Sequence, residues 1–410
     1  MNFEIAAAAI FVLTYGGIAL GSIPGLAIDR TGIALLGAIA MLITGTLSEA
    51  EAFRAINLPT ILLLYSLMVL SAQFTLGGFY TRAALRIVKY MARPEVFLLA
   101  LIFSSAILSA ILANDVVCLA FTPVVCVVAS RAALNPIPFI LALACSSNIG
   151  SAATIMGNPQ NMLIGQVGRL EFGRFLWWCL PPSLISLGAL YAVIAGLYRG
   201  KWRMKPGDGK PPAPDRWPGY DSHQSTKAVL LAAVLIILFF TKIPREFSSL
   251  TIAGIILCSR KMSTHSILGL VDWHLITLFC ALFIVVEGIV KYGIPQAGVH
   301  LLSAWGYDLN APFVLSSVTL VLSNLVSNVP AVMLLLKNID LARTENLYLL
   351  ALVSTYAGNL LIIGSIANLI TIEQARAHNI FLSFRAHALV GIPITIISIL
   401  TALGWASLLR

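Results

Sequence analysis

The chain has 410 residues, of which 59% are hydrophobic and only 10% are charged. Soluble domains contain roughly one quarter charged residues, so this composition excludes a water-soluble globular protein. The formal net charge of +9 does not indicate a nucleic-acid partner, because the basic residues lie in short segments between apolar runs. Runs of about 18 residues or more are long enough to cross a bilayer. The sequence therefore predicts an all-α polytopic membrane protein.

The first part of the chain, 1–198, is predicted to form one membrane unit. It contains four apolar spans, at about 3–21, 31–47, 58–77 and 175–198. Before the fourth span lie two apolar segments with polar breaks. The segment at about 96–130 is broken by Ala-Asn-Asp, and the one at about 137–165 by SSNIGSAATIMGNPQN. Bare backbone groups are not tolerated in lipid, so we predict a re-entrant hairpin and a broken helix that face protein or a water-filled cavity.

A linker rich in Pro, Gly and charge, at 199–227, separates this unit from a second one at 228–410. The second unit is predicted to have the same order of elements. Its spans are expected at about 228–242, 247–259, 274–290 and 380–409. A hairpin broken by Ser-Asn-Val-Pro is expected at about 298–337, and a broken helix at about 346–371.

Matching motifs indicate that the two units are internal repeats. Asn114 of the first hairpin corresponds to Asn328 of the second, and GNPQNMLI from Gly157 corresponds to GSIANLIT from Gly364. With re-entrant hairpins and a cytoplasmic linker, 17 of the 26 Lys and Arg residues fall on the cytoplasmic side and both termini are external. The repeats then have inverted topology, which with broken helices is typical of secondary transporters.

The polar breaks predict one central binding site. Asn114 or Asp115 is expected to cap the helix after the first hairpin tip, and Asn328 the helix after the second, with Pro330 in its first turn. Helix N-termini suit an anion, and unwound carbonyls suit a cation or a proton. Plain kinks or loops between ordinary spans are the alternative interpretation, but four breaks in repeated order favour a site.

The second broken segment is four residues shorter between Asn359 and Asn368 than the first is between Asn148 and Asn161. This difference predicts that one coupling site is altered or missing.

Asp115 is the carboxylate that lies well inside an apolar block. An ionisable residue at membrane depth is costly, so Asp115 is a candidate proton carrier or, if ionised, a cation ligand. A helix cap is the alternative role. Val329 stands at the corresponding place in the second unit, so the repeat offers one titratable group.

No metal site, cofactor or catalytic centre is predicted. The six Cys form no C-x-x-C pair and the six His show no metal-ligand spacing. An intramembrane enzyme is disfavoured because H-E-x-x-H, G-x-G-D and G-x-S-x-G motifs are missing from the sequence, and no Walker loop supports a pump ATPase.

On these residues, the chain resembles members of the ion transporter superfamily, which includes ArsB-type arsenite permeases, NhaD-type sodium/proton antiporters, relatives of the melanosomal P-protein and divalent-anion/sodium symporters. LANDVVCLAFTPVV, SNIGSAATIMGNPQNMLIG and LSNLVSNVPAVMLLL carry the resemblance. It implies a substrate and coupling-ion site, an elevator-like movement and, since relatives are often dimeric, a homodimer. With neighbouring polar and glycine residues, the candidate site comprises Asn114, Asp115, Ser147, Asn148, Gly150, Thr154, Gly157, Asn158, Asn161, Ser327, Asn328, Asn359, Gly364, Ser365 and Asn368.

The hairpin tips differ from those of the symporter branch, which carry Ser-Asn-Thr at both places. Here they read Ala-Asn-Asp and Ser-Asn-Val, which disfavours a sodium-coupled dicarboxylate importer. We therefore expect an inner-membrane secondary transporter, surrounded by lipid, that uses the proton gradient to move a small inorganic ion or oxyacid such as arsenite outward. Sodium/proton antiport is the nearest alternative, with Na+ in place of H+ as a candidate coupling ion.

Overall fold

A computed structural model describes residues 3–21, 27–203 and 219–409. These residues form twenty α-helices and two short 3-10 helices, with one isolated β-bridge between Leu134 and Arg203. Among the described helices, eight are long and apolar enough to cross a membrane. The predicted all-α polytopic architecture is therefore confirmed.

The first ten helices precede the linker. They are α1 (Phe3–Leu20), α2 (Arg30–Ile43), α3 (Glu49–Ala55), α4 (Leu58–Leu76), α5 (Phe79–Ile87), α6 (Pro94–Ile111), α7 (Asn114–Arg131), α8 (Ile137–Ser151), α9 (Pro159–Val167) and α10 (Phe172–Leu197). Helices α6 and α7 form the first hairpin, and α8 and α9 are the two halves of the first broken helix.

The second ten helices follow the same order. They are α11 (Ser222–Phe239), α12 (Arg245–Leu257), α13 (Thr264–Leu268), α14 (Trp273–Val290), α15 (Ile294–Ala304), α16 (Pro312–Val326), α17 (Asn328–Leu336), α18 (Thr344–Ala357), α19 (Ile366–Ala377) and α20 (Phe384–Leu408). Helices α16 and α17 form the second hairpin, and α18 and α19 form the second broken helix.

Prolines and short polar residues place the helix starts. Pro94 and Pro312 open α6 and α16, and Pro159 opens α9. Proline has no N–H group, but an N–H at the start of a helix has no partner within the helix, so no hydrogen bond is lost. The side chains of Asp221 and Asp272 cap α11 and α14 by accepting backbone N–H groups. Local chemistry therefore explains why the spans begin where they do.

Two predicted boundaries differ from the structure. The linker was expected to reach residue 227, but α11 already begins at Ser222 because Asp221 caps it; residues 204–218 of the linker lie outside the described residues. The second hairpin was expected from residue 298, but residues 294–304 form a separate helix, α15, and the hairpin begins at Pro312. An apolar sequence alone did not separate these two helices.

The two hairpins open at opposite ends of α10. At the open end of the first, the Asn135 N–H donates to the Trp202 carbonyl at 2.8 Å, just beyond the end of α10. At the open end of the second, Asn346 donates to the Asn310 carbonyl, and nearby Tyr348 stacks on Trp178 in the first turns of α10. Since α10 has 26 residues, it is about 39 Å long.

The helices form two groups that pack more extensively within themselves than with each other. Helices α1–α4 and α11–α15 make up the frame group, and α6–α10 and α16–α20 make up the hairpin group. Helix α5 lies between them, against α4 on one side and α6 and α7 on the other. Both hairpins and both broken helices therefore belong to one packing unit. The direct contacts between the two groups are made mainly by α1, α4 and α14 on the frame side.

Candidate functional site

The tip of the first hairpin lies inside the protein. Leu112 at the tip is 3% exposed, and the Asn114 N–H donates to the Gly157 carbonyl in the first helix break at 3.3 Å. A connection between two full membrane crossings would lie at the surface instead. The tip meets a break in a neighbouring helix, which is the contact that the sequence predicts.

Asn148, in the last turn of α8, is the centre of a buried amide network. Its side-chain oxygen accepts from Asn114 at 3.2 Å and from the Ser365 hydroxyl at 3.0 Å. Its side-chain nitrogen donates to Asn359 at 2.9 Å and to Asn368 at 3.2 Å. One side chain thus joins the first hairpin tip to the second helix break.

The first break is held open by Asn161 of α9. Its side-chain nitrogen donates to the carbonyls of Thr154 at 3.0 Å, Ala152 at 3.3 Å and Ser151 at 3.4 Å. Asn158 caps α9 by accepting the Asn161 N–H at 2.9 Å. These carbonyls have no helical partner, so the amide satisfies them in the buried loop.

The second break is built in the same way by Asn368 of α19. Its side-chain nitrogen donates to the Leu361 carbonyl at 3.2 Å and to the Gly358 carbonyl at 2.8 Å. Like Asn161, it reaches back seven and ten residues along the chain. The two breaks therefore have equal spacing between these carbonyls and the amide. The interval between Asn359 and Asn368 is shorter in the sequence, but the second break itself is not.

The sequence comparison paired Asn148 with Asn359 because both residues are asparagines. Asn148 lies three residues before Ser151, so its counterpart, three residues before Gly358, is Thr355 and not Asn359. Cross-contacts support this pairing. Ser365 of the second break donates to Asn148, and Asn158 of the first donates to Thr355 at 3.3 Å. Each break therefore supplies a hydrogen-bond partner to the other.

The predicted capping roles at the hairpin tips are also wrong. No side chain caps α7 or α17; Ala113 and Ser327 occupy those positions. Asn114 donates instead to Asn148, and Asn328, with its nitrogen facing the acceptors, donates to the carbonyls of Ser354 at 3.0 Å and Gly364 at 3.2 Å. The tip amides therefore tie the hairpins to the helix breaks. Pro330 does lie in the first turn of α17.

Ser327 turns the second hairpin in a single residue with φ 78° and ψ 159°. This region is nearly restricted to glycine and costs about 1–3 kcal/mol for other residues. The contacts of Asn328 with the second break hold the strained turn in place.

The other predicted residues support this arrangement. Ser147 donates to the Asn114 carbonyl at 3.1 Å, and Thr154 donates to the Ala110 carbonyl. Gly150 packs against the backbone of Ala106, and a side chain at Gly157 would collide with the backbone of Ser151. These glycines allow close backbone contact.

Asp115 does not join the amide network. Its half-buried side chain makes no hydrogen bond within the described part of the chain and borders a cavity of about 400 Å³ at the seam between the frame and hairpin groups. Asp272, the capping residue of α14, borders the same cavity. The proposed coupling carboxylate thus lies one residue from the network but faces another space.

Three residues near the site were not predicted. Thr355 carries no amide, and Asp272 looked like an ordinary span end. His387 of α20 is 1% exposed, and its Nε2 lies 3.0 Å from the Asn359 carbonyl. A histidine within an apolar span was a usable signal, because ionisable groups at membrane depth are rare.

Three buried amide atoms of the site have no hydrogen-bond partner among the described residues: the side-chain oxygens of Asn114 and Asn161 and the side-chain nitrogen of Asn359. Buried polar groups are nearly always paired, so three unpaired atoms in one site are unusual. No described Lys, Arg, Asp or Glu hydrogen-bonds to the Asn148 network, and no described group of three His, Cys, Asp or Glu residues could hold a metal. The site can offer both donors and acceptors without net charge.

Several known proteins are similar to this chain in sequence over most of its length. The silicon efflux transporter LSI3 of Oryza sativa subsp. japonica is 28% identical, with 93% of each chain covered. A protein of Dictyostelium discoideum that carries the transporter name arsB is 27% identical over 95% of this chain and 89% of its own. The inner membrane protein YbiR of Escherichia coli K12 is 28% identical over 82% and 84%.

The crystal structure of the YdaH transporter from Alcanivorax borkumensis has the same fold. It superimposes with a TM-score of 0.55 at 12% identity and covers 100% of this chain and 98% of its own. The predicted resemblance to the ion transporter superfamily is confirmed, and the class is a membrane transporter and not an enzyme. The model of the citrate transporter (CitMHS) family matches residues 10–343. The chain therefore belongs to the citrate transporter family.

Proposed function

We propose that this secondary transporter exports a small oxyacid such as arsenite, driven by the proton gradient. The uncharged amide network with its unpaired atoms is the observation that carries the proposal. Arsenite is largely a neutral trihydroxy acid at neutral pH, so its hydroxyls can both donate to Asn114 and Asn161 and accept from Asn359. The relatives named for silicon efflux and arsB fit this choice, because silicic acid is also a neutral polyhydroxy molecule.

Citrate is a less suitable substrate on the same grounds, despite the family name. Its three carboxylates would need cationic partners when buried. The described side chains bonded to Asn148 are amides and one hydroxyl.

The arrangement of the two helix groups supports an elevator mechanism, in which the hairpin group moves against the frame group. Few polar contacts cross the seam. Lys337, after the second hairpin, pairs with Glu287 of α14 at 2.9 Å, and Arg245 of α12 donates to the carbonyls of Gly165 and Leu170 at 2.7 Å. Such contacts can break and re-form without disturbing the packing inside either group.

The opposite openings of the two hairpins support inverted repeats. With the linker in the cytoplasm of a cell with an inner membrane, the first hairpin opens inward and the second outward, and both termini are external. The cavity beside Asp115 lies on the seam that the proposed movement would open and close.

Because Asp115 borders this cavity, we propose that it is the group that carries the proton.

Sodium/proton antiport remains a second candidate because two carboxylates, Asp115 and Asp272, border that same cavity. Oxygen ligands of this kind bind hard cations.

Transport by the purified protein in proteoliposomes tests the proposal. Arsenite, sodium and citrate are offered as substrates under an imposed proton gradient. We expect proton-driven arsenite movement that falls at least about tenfold in Asn148→Ala, since the loss leaves buried partners unpaired at about 1–3 kcal/mol each. Asn338→Ala is the control, because among the described residues that amide bonds to the Leu334 carbonyl alone, outside the network.

Several results would redirect or reject the proposal. Sodium exchange without arsenite movement would establish the antiporter, and citrate uptake would establish the importer. Full arsenite transport by a folded Asn148→Ala protein would show that the network is not the binding site. If Asp115→Asn leaves the pH dependence of transport unchanged, Asp115 is not the proton carrier.

A further inference from the structure

We propose that Asp272, Asp115 and Thr81 form a binding site for a small monovalent cation, a proton or sodium, which joins the frame group to the hairpin group. Its part in coupling rests on the proposed transport function, whereas the binding itself does not.

The cavity that these residues border lies between the two helix groups. Helix α4 and the start of α14 supply its wall on the frame side, α7 and α9 supply its wall on the hairpin side, and α5 lies between the two walls. Asp272 is exposed and Asp115 is half-buried, so the cavity leads from solvent at one carboxylate towards the hairpin tip at the other.

The hydroxyl of Thr81 is the observation that points to a ligand. Thr81 is 8% exposed and borders the cavity, yet its hydroxyl has no hydrogen-bond partner among the described residues. The hydroxyls of Ser71 and Tyr80 in the same wall bond to each other at 2.8 Å. Two carboxylates and a free hydroxyl are the oxygen ligands that hard cations prefer.

The charges around the cavity are unbalanced. Asp115 and Asp272 border one cavity, so the two carboxylates repel each other when both are ionised. The remaining titratable group in the wall is the phenol of Tyr80, and the thiol of Cys118 lies behind Asp115 on α7. No described Lys, Arg or His borders this cavity; Arg82 and Arg86 of α5 border a different one. A bound cation would therefore relieve a repulsion that nothing else in the wall neutralises.

Because the carboxylates belong to different groups, this binding has a conformational consequence. With a cation between them, the observed arrangement of α7 and α14 around the cavity is stabilised; without it, repulsion favours separation. A ligand that binds one arrangement better shifts the population towards it. The site therefore makes the position of the hairpin group depend on the cation.

Cation-dependent thermal stability of the purified full chain tests this inference. Sodium chloride is titrated against choline chloride at alkaline pH, and a second series varies pH without sodium. We expect Asp272→Asn and Asp115→Asn to raise the half-effect concentration of the active cation at least about tenfold, and Thr81→Val to raise it less.

Asp221→Asn is the matched control. Asp221 caps α11 by accepting the Gln224 N–H at 3.0 Å, as Asp272 caps α14 by accepting the Leu275 N–H at 2.9 Å. Asn keeps a helix cap, so both variants keep the cap and lose the charge. Asp221→Asn also loses an exposed ion pair with Lys261 at 4.0 Å. The control should respond to cations as the wild type does.

The outcomes distinguish a sodium site, a proton site and no site. Stabilisation by sodium assigns a sodium site, and stabilisation by acid alone assigns a proton site. No response of the wild type, or an unchanged response in Asp272→Asn, overturns the inference even if arsenite is transported. A cation response without arsenite transport supports this site and rejects the proposed function.

Discussion

A single residue, Asn148, binds groups from the first hairpin tip and the second helix break. Its residue type and its place in a polar break made it a predictable site residue. Its partners were not predictable, because Ser365 lies 217 positions away and the match depends on how the breaks pack. The mistaken pairing of Asn148 with Asn359 shows the limit: an amide can be recognised in sequence, but its structural equivalent here is a threonine.

Another polar residue, Glu51, gives a prediction that depends on pH. Glu51 accepts from the backbone and hydroxyl of Ser48 at 2.8 Å and pairs with Lys291 at 2.8 Å. The Lys291 ammonium, with the Ser48 bonds, lowers the pKa of Glu51 from 4.5 to about 2. Because the folded pKa is the lower one, this stabilisation is present above pH 4.5 and is lost as the pH falls towards about 2.

We therefore expect Glu51→Gln to unfold at a lower temperature than the wild type at neutral pH, with a difference that shrinks on acidification below pH 4.5. Thermal unfolding over a pH series measures this. Glu49→Gln, in the same helix but with no ion pair to any described residue, is the control and should show no such trend. A difference that stays constant with pH would contradict the assignment.

At the scale of elements, α6 and α8 run side by side with their backbones in close contact. The hydroxyls of Ser105 and Ser146 lie 2.6 Å apart, and Gly150 faces the backbone of Ala106 with no room for a methyl group. Small residues at such contacts let membrane helices approach closely. This packing sets the distance between the first hairpin and the first break.

Gly150→Ala should therefore push α6 and α8 apart and destabilise the protein by about 1–3 kcal/mol. Gly188→Ala is the matched control, since Gly188 also lies in a membrane helix but nothing is within 4 Å of its added methyl group. The control should be neutral or up to about 1 kcal/mol more stable, because alanine favours helices. Thermal unfolding in detergent distinguishes the two; equal effects would show that the contact is not tight.

The order of elements was largely predictable, since apolar spans and their polar breaks are visible in sequence. Helix α15 was not separated from the second hairpin because both are apolar, although Gly306, Asp308 and Asn310 between them are a usable turn signal. The start of α11 at Ser222 was missed for the opposite reason: its first turn is polar and resembles the linker.

At the scale of the whole molecule, the proposed elevator movement predicts which cross-links stop transport. Glu287 belongs to the frame group and Lys337 to the hairpin group, and they form an ion pair at 2.9 Å. Cysteines at both positions, joined by a short cleavable bis-maleimide, should abolish transport until the linker is cleaved. The same treatment of Asn310 and Asp340, which both lie at the open end of the second hairpin, should leave transport unchanged. Transport through the Glu287–Lys337 cross-link would contradict movement of the second hairpin against α14.

The mutual contacts of the two helix breaks also constrain how the protein is made. Asn158 bonds to a residue 197 positions later, and Asn148 to one 217 positions later. When the first unit has been inserted into the bilayer, these amides still lack their final partners. Until translation is nearly complete, the polar side chains of the first half must therefore be solvated or bound by a chaperone. Membrane proteases would act on a defective chain during that interval.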